Sequence, residues 1–305
     1  MAPDHPAPYH ERCSTPSQEN RRNSTVTGVK TMRVTGIGHL LFALGLAGLG
    51  ILSLFSGDFA LNWQPVPAWV PARAVLACLS GALLLAGGLG LLVKRTASLA
   101  SFTMAAFLLS WVLVLQLPRV ASASGNEGMW LGLAESTFLM TGGWTLFASL
   151  ANARARARLA FISSDRGTRI ARILFGLACL PLGLSHFVYN DATAGMIPSW
   201  IPAHVGFAYL TGIGHIATGL AILCGVLPRL AATCEAAMIT LFVILLHIPA
   251  AAAQPSSRLM WTMVFVATAL AGAVWNIAAS LRNKAWLWTR WSPQPLSRAA
   301  QTTPT

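Results

Sequence analysis

Charged side chains are scarce in this sequence. Asp, Glu, Lys and Arg together make up 10% of its 305 residues, whereas 55% are hydrophobic. A soluble domain usually carries about 25% charged residues, and so few solvating side chains cannot cover a surface that faces water. The composition therefore excludes an ordinary soluble domain and predicts an integral membrane protein.

Acidic residues are scarcer than basic ones, with nine Asp and Glu against 21 Lys and Arg, which gives a net charge of +12. A basic balance can indicate nucleic-acid binding. Here, however, the basic residues occur in short runs between apolar segments, and no basic stripe is interleaved with aromatic residues. Such runs are typical of the cytoplasmic loops that orient a membrane protein. We therefore exclude a nucleic-acid partner and expect membrane lipids around the chain.

Paired cysteines and clustered metal ligands are also missing. None of the five Cys residues forms a CxxC motif, and four of them lie in or next to apolar segments, where Cys behaves as a small hydrophobe. Cys224 and Cys234 flank one short loop, so the sequence does not exclude a redox pair between them. No two histidines have the close spacing, such as i and i+4, that metal sites on helices use. The sequence therefore predicts no metal site.

Eight apolar runs are long enough to cross a bilayer, which takes about 20 residues. They cover roughly 37–55, 73–93, 97–117, 128–150, 169–188, 204–225, 229–248 and 259–281. With the N-terminus inside, the inner segments and the adjoining helix turns hold 18 of the 21 Lys and Arg, and the outer segments hold only Arg73, Arg119 and Arg258. This bias predicts a multi-pass protein of the cell inner (plasma) membrane with both termini in the cytoplasm.

A shift of 131 residues aligns the second half of the sequence with the first without a gap. The aligned pairs include Trp69 and Trp200, Pro71 and Pro202, Pro118 and Pro249, Trp130 and Trp261, and Trp144 and Trp275. An apolar composition would match Leu and Ala by chance, but not these rarer residues in one register. The sequence thus predicts a duplicated unit of four helices. Since four is an even number of spans, the two copies would be parallel repeats related by an axis along the membrane normal.

The expected fold is therefore an all-α integral membrane protein with eight transmembrane helices, arranged as two parallel four-helix bundle repeats. Its parts are a disordered cytoplasmic tail (1–33), a first four-helix unit (34–152), a basic cytoplasmic linker (153–168), a second four-helix unit (169–284) and an interfacial and polar C-terminal tail (285–305).

The second unit carries the residues that we consider as candidates for a pocket. Most of them lie at or beyond the outer ends of its helices, and one histidine lies about 16 Å deeper, near the middle of the bilayer. The candidates are His186, Tyr189, Asp191, Trp200, His204, His215 (the deep one) and His247. The positions opposite His186, His215 and His247 in the first unit hold Phe55, Leu84 and Gln116. The second unit is therefore predicted to be the working copy.

A neutral imidazole can hydrogen-bond a quinone carbonyl, relay protons or ligate a metal. Because tight metal-ligand spacing is missing, we interpret the candidates as an outer-facing pocket for a quinone or lipid-like molecule, with His215, His186 and His247 as its cofactor-binding groups. The alternative is that the outer side chains simply occupy the membrane interface. That alternative explains His215 less well, because a mid-membrane imidazole needs a partner.

Two carboxylates lie within the predicted spans. We interpret Glu235 as structural, since it lies about two turns beyond Arg229 on one helix, while Glu135 could pair with a neighbouring helix.

The stretches 182–232 and 246–251 resemble the DoxX-like family of small four-helix membrane proteins. The pattern is a first span that ends in His-Phe, an outer loop with Pro-Trp-hydrophobic-Pro, a second span with a polar residue before "TGL", and a third span that ends in an apolar–Pro step. The resemblance implies a four-helix bundle and, in a few members, a subunit of a membrane oxidoreductase such as thiosulfate:quinone oxidoreductase. The family often has a Glu where His215 stands.

We therefore predict a DoxX-like inner-membrane protein, with an integral subunit of a quinone-linked membrane oxidoreductase complex as the leading function. A quinone and a partner subunit are its candidate partners, and whether the chain is itself an enzyme stays open. The alternatives are a small-molecule or ion carrier, whose substrate would pass between the halves, and a membrane scaffold without chemistry. The sequence shows no helices broken at matched mid-span positions, which argues against a carrier.

Overall fold

The computed structural model describes residues 35–287, which form α-helices joined by loops, with one 3-10 turn at Leu61–Trp63 in the long loop 57–72 and no strand among them. In chain order the helices are α1 (Ile37–Ser56), α2 (Arg73–Leu92), α3 (Ala97–Ser122), α4 (Glu127–Leu150), α5 (Ala153–Arg158), α6 (Ala160–Ser163), α7 (Asp165–Val188), α8 (Asn190–Gly195), α9 (His204–Cys224), α10 (Pro228–Ala253) and α11 (Arg258–Ser280). The predicted tail 1–33 and most of the tail 285–305 lie outside the described residues.

Seven helices in this part of the chain are long and apolar enough to cross a membrane: α1, α2, α3, α7, α9, α10 and α11. The expected all-α membrane protein is thereby confirmed. Helix α4 has 24 residues and occupies the place of the remaining predicted span. Its Glu, Ser, Thr and Gly residues make it less hydrophobic than the other seven, so the count of eight spans stays a prediction.

The long helices pack in chain order within each predicted unit. Helix α1 contacts α2, α2 contacts α3 and α3 contacts α4, and the series α7, α9, α10 and α11 is built in the same way. The first helix of each unit packs against the last helix of the other unit: α1 packs against α11, and α7 packs against α4. Helices α4 and α11 also contact each other. This arrangement differs from the two self-contained four-helix bundles that we expected.

Small residues explain why α1 and α11 associate so closely. A side chain on Gly272 of α11 would collide with the backbone of Phe42 in α1, and one on Gly45 would collide with Ala269. In lipid, apolar surface gains little from leaving the solvent, so close backbone packing is a main source of helix association. Helices α11 and α1 are accordingly the two most enclosed of the seven spanning helices.

Several local features recur at the same 131-residue spacing as the Trp and Pro residues. The paired features are the left-handed residues Ala72 and Ala203 before α2 and α9, the side-chain caps Asn126 and Ser257 of α4 and α11, and the indole hydrogen bonds from Trp130 to the Ser124 carbonyl (2.8 Å) and from Trp261 to the Pro255 carbonyl (2.9 Å). The backbone therefore repeats its irregular details, and not only its helices, in the register of the sequence.

Helices α3 and α10 each contain a turn of π-helix, at Trp111–Gln116 and Val243–His247. Pro118 and Pro249 follow these turns. Because proline has no N–H to donate to the preceding turn, it disturbs the regular hydrogen-bond ladder, and a widened turn is one way in which a helix adapts. Both helices continue through these turns as single spans, so they are irregular at matched positions without being broken.

Asp58 links the loop after α1 to two helices at the end of the molecule remote from α5 and α6. Its carboxylate pairs with Arg73 at the start of α2 and, at 3.3 Å, with Arg258 at the start of α11. Burial opposes ionisation of Asp58, but the N–H of Phe59 and both guanidinium groups stabilise its carboxylate, so its pKa lies below the usual value. One carboxylate thus compensates two of the three arginines that we expect on the outer side.

Candidate ligand-binding site

A cavity of about 620 Å³ lies among α4, α7, α9, α10 and α11, with one wall completed by the loop after α1. Its lining is mostly apolar, from residues such as Leu182, Ile239, Phe242 and Val266. Sites for small organic molecules typically measure about 300–1,000 Å³ and combine apolar walls with a few polar groups. We refer to this space as the imidazole cavity, because three histidines line it: His186, His215 and His247.

The deepest polar feature of the site is a pair formed by His215 of α9 and Glu235 of α10. The imidazole Nδ1 lies 2.5 Å from the carboxylate Oε1, and the two side chains are 2% and 0% exposed. Either charge alone would be costly in such apolar surroundings, so each group stabilises the other. Glu235 therefore supplies the partner that a mid-membrane imidazole needs, a role that its distance from Arg229 did not indicate.

Only one member of the pair reaches the cavity. His215 lines the cavity, whereas Glu235 does not. The second carboxylate oxygen of Glu235, Oε2, is buried without a hydrogen-bond partner among the described residues. The imidazole therefore lies between the cavity and a buried carboxylate.

His186 of α7 lies beside His215. Their ring centroids are 5.0 Å apart, and the ring of Phe242 lies 6.4 and 6.3 Å from the two imidazoles. The His186 Nδ1 is 2.9 Å from the Thr211 hydroxyl. Gly212 allows this approach, because a Cβ at that position would lie only 2.8 Å from the Cβ of His186. Two helices thus place two imidazoles next to each other on the cavity wall.

Of the residues predicted from the sequence, His186, Tyr189, His215 and His247 line the same cavity. The fold therefore brings these four side chains together. Their role in binding a ligand stays a prediction.

Asp191, Trp200 and His204 do not line the imidazole cavity. Asp191 is exposed on α8, and Trp200 is 71% exposed in the loop before α9. The Nε2 of His204 lies 3.2 Å from the Pro198 carbonyl, so its ring is held by that loop. The α8 segment and the loop after it do reach the cavity, through Ala192, Thr193, Met196 and Ile197, but the side chains of these three predicted residues are not part of its lining.

The first unit contributes polar residues that the sequence did not single out for this site. Trp63, Arg119 and Glu135 line the cavity beside the histidines. Glu135 reaches it because α4 packs against α7 of the second unit. The match of Gln116 with His247 in the 131-residue register was a signal that the end of α3 occupies a position in the first unit that corresponds to the end of α10 in the second. The Arg119 guanidinium donates to Gln116 Oε1 at 3.2 Å.

Among residues 35–287, no group of three or more His, Cys, Asp or Glu side chains is arranged to hold a metal ion. Cys224 and Cys234 are both free thiols, so the redox pair that the sequence left open is not formed. The absence of a metal centre in the whole chain stays a prediction.

The fold and the cavity define a class of protein, namely a multi-pass α-helical membrane protein with a mostly apolar cavity whose polar groups include three imidazoles. Residues 167–248 match the family model DoxX. The matched segment begins in α7 and ends in α10, and it contains His186, His215, Glu235 and His247. The chain therefore carries a DoxX-like region, as the resemblance indicated. No curated protein and no solved structure matches the chain.

Proposed function

We propose that this DoxX-like protein binds a quinone-type ligand in the imidazole cavity and exchanges protons with it through His215 and Glu235. The observation that carries the proposal is the buried Glu235 behind an imidazole that lines an apolar cavity. A quinone presents an apolar ring with carbonyl oxygens that accept hydrogen bonds, so it fits mostly apolar walls that carry a few hydrogen-bond donors.

His215 is the residue best suited to move the proton. Its Nδ1 is engaged by Glu235, which leaves Nε2 as its second hydrogen-bonding atom. An imidazole can accept a proton at one ring nitrogen and release one from the other, so His215 can pass a proton from the Glu235 side to the cavity side. Reduction of a quinone to a quinol takes up two electrons and two protons. In this proposal the protons pass through His215, and the electrons come from a reduced partner subunit of the membrane complex.

The proposal includes eight spans, a duplicated unit and cytoplasmic termini in the inner membrane. The paired caps, left-handed residues and π-helical turns support the duplication. The eighth span is α4, which packs among α3, α7 and α11. Since these neighbours shield it from lipid, it needs less apolar surface than a lipid-facing helix. The concentration of 18 of the 21 basic residues in the inner segments supports the orientation.

Quinone analysis of the detergent-purified protein tests this function. The wild-type protein is expected to retain a stoichiometric amount of quinone. His215→Ala and His186→Ala should lose about tenfold or more in quinone affinity, since each removes a hydrogen-bonding group from the cavity wall. His204→Ala is the matched control, because its ring contacts the Pro198 carbonyl and does not line the cavity. A wild-type protein without quinone, or a folded His215→Ala variant with unchanged content, would contradict the proposal.

A small-molecule or ion carrier is the second candidate, and the paired π-helical turns favour it. π-Helical turns frequently occur at functional sites, these two lie at matched positions of the two units, and His247 lies within one of them and lines the cavity. Proteoliposomes that contain the pH-sensitive dye pyranine would report proton movement. A carrier should lose that movement in Glu235→Gln and slow in Pro249→Ala more than in Pro118→Ala. A quinone-loaded protein that moves no protons across the bilayer would count against this candidate.

A further inference from the structure

A second cavity of about 610 Å³ lies at the opposite end of the helices, close to α5 and α6. The starts of α1, α7 and α10 and the ends of α4 and α11 form its walls. The charged residues that line it are Arg156, Arg172, Arg229, Arg282 and Asp165. Four positive charges against one negative charge leave this arginine cleft with an uncompensated positive charge.

Backbone and hydroxyl oxygens, and not carboxylates, hold the guanidinium groups of the cleft. Arg172 Nε donates to the Ser280 hydroxyl at 2.9 Å, Arg229 Nη1 donates to the Arg282 carbonyl at 2.9 Å, and Arg156 Nε donates to the Ala151 carbonyl at 3.0 Å. None of these arginines forms a salt bridge within residues 35–287. A guanidinium has five N–H donors, so these contacts fix the side chains while leaving donors free.

A buried amide provides an independent sign of a missing acceptor. Asn276 of α11 lines the arginine cleft and is only 6% exposed. Its Nδ2 has no hydrogen-bond partner among the described residues. Buried polar groups are nearly always hydrogen-bonded in native proteins, so this donor indicates that a ligand supplies an acceptor at the cleft.

We infer that the arginine cleft binds a phosphate-bearing anion, and that this anion is the headgroup of an acidic phospholipid. Guanidinium groups recognise phosphate oxygens through paired, charge-assisted hydrogen bonds. The Arg229 guanidinium also lies 4.0 Å from the ring centroid of Trp286, and tryptophan is enriched at the headgroup level of a bilayer. An acidic headgroup at this level would compensate the charge, accept from Asn276 and hold the ends of five helices together.

Native mass spectrometry of the full chain in mild detergent tests the inference, with phosphatidylglycerol and phosphatidylcholine as the two probes. The wild-type protein should bind phosphatidylglycerol selectively. Arg172→Gln and Arg229→Gln should each weaken that binding about tenfold, since each removes a charge-assisted contact. Arg169→Gln is the matched control, because it removes the same charge from the same end of α7 outside the cleft. Equal losses in all three variants, or equal binding of both lipids, would overturn the inference.

Two further measurements address unfolded variants and the source of the phosphate group. Arg229→Lys retains the charge but not the planar fork of donors, so it should bind phosphatidylglycerol more weakly than the wild-type protein while keeping its thermal stability. This variant tests the cleft if the Gln variants unfold. Excess inorganic phosphate identifies the source of the phosphate group. Displacement of phosphatidylglycerol by phosphate supports a headgroup site, whereas binding of phosphate without any binding of phosphatidylglycerol would overturn the lipid assignment.

Discussion

Removal of either member of the His215–Glu235 pair should destabilise the protein more than removal of both. His215→Phe leaves a carboxylate buried without its partner, which typically costs about 3–5 kcal/mol. Glu235→Leu leaves an imidazole that can stay neutral, so the loss is that of one buried hydrogen bond, about 1–3 kcal/mol. The double variant His215→Phe/Glu235→Leu replaces both groups by apolar side chains of similar size, a change that is often close to neutral in free energy. The expected coupling energy is therefore about 4–8 kcal/mol, the sum of the two single-variant costs.

The assay is a double-mutant cycle on detergent-solubilised protein at neutral pH. Unfolding by increasing mole fractions of SDS, followed by circular dichroism, gives the free energy of unfolding of the wild type, the two single variants and the double variant. His204→Phe serves as a control, because His204 is only half-buried and lies outside the cavity. Single-variant costs that add to the double-variant cost within about 0.5 kcal/mol would refute an energetic pairing of the two side chains.

The same double variant separates the structural role of the pair from its proposed chemical role. Because it retains the fold, any loss of quinone binding or proton exchange in it comes from the missing polar groups and not from unfolding. Full quinone binding by a stable double variant would show that the pair serves stability alone.

Three further predictions concern the fold and its orientation. Gly272→Leu should cost roughly 3 kcal/mol or more of stability through overpacking against Phe42, as measured by thermal unfolding, whereas Gly195→Leu, whose surroundings are open, should change it little. The lowered pKa of Asp58 means that its contribution is present above its unfolded-state pKa and is lost as the pH falls through its folded-state pKa. Asp58→Asn should therefore remove that acid-dependent loss of melting temperature and cost roughly 1 kcal/mol at neutral pH. In a background without native cysteines, an impermeant maleimide should label Gly125→Cys in intact cells and Arg154→Cys only after lysis, and the reverse pattern would contradict cytoplasmic termini.

The positions of the helices follow from local properties of the sequence. The apolar runs predicted at 73–93 and 204–225 correspond to α2 at Arg73–Leu92 and α9 at His204–Cys224. Such agreement is expected, because the thickness of a bilayer fixes the length of a span and prolines and charges mark its ends. The same local reasoning identified His215 as a residue that needs a partner.

The partners of these helices and residues depend on contacts that a linear pattern does not contain. Glycines occur in nearly every span, so the sequence does not reveal that Gly45 faces α11 and not a helix of its own unit. This exchange brings Glu135 to the histidines. The pairing of His215 with Glu235 had a detectable signal, since His215 lies nine residues before the end of α9 and Glu235 lies seven residues after the start of α10. On antiparallel neighbours those positions have similar depths.

The exchanged packing of α1 and α11 has a consequence for how such a protein can be assembled and diversified. A single four-helix unit would leave the glycine face of its first helix bare, and we expect two copies of it to intertwine as a symmetric dimer. Such a dimer must carry two identical cavities, and any change in one appears in the other. In the duplication that we propose, fusion into one chain fixes the ratio of the two units and removes that constraint. One unit can then lose its histidines and become a supporting wall, while the other specialises for a ligand.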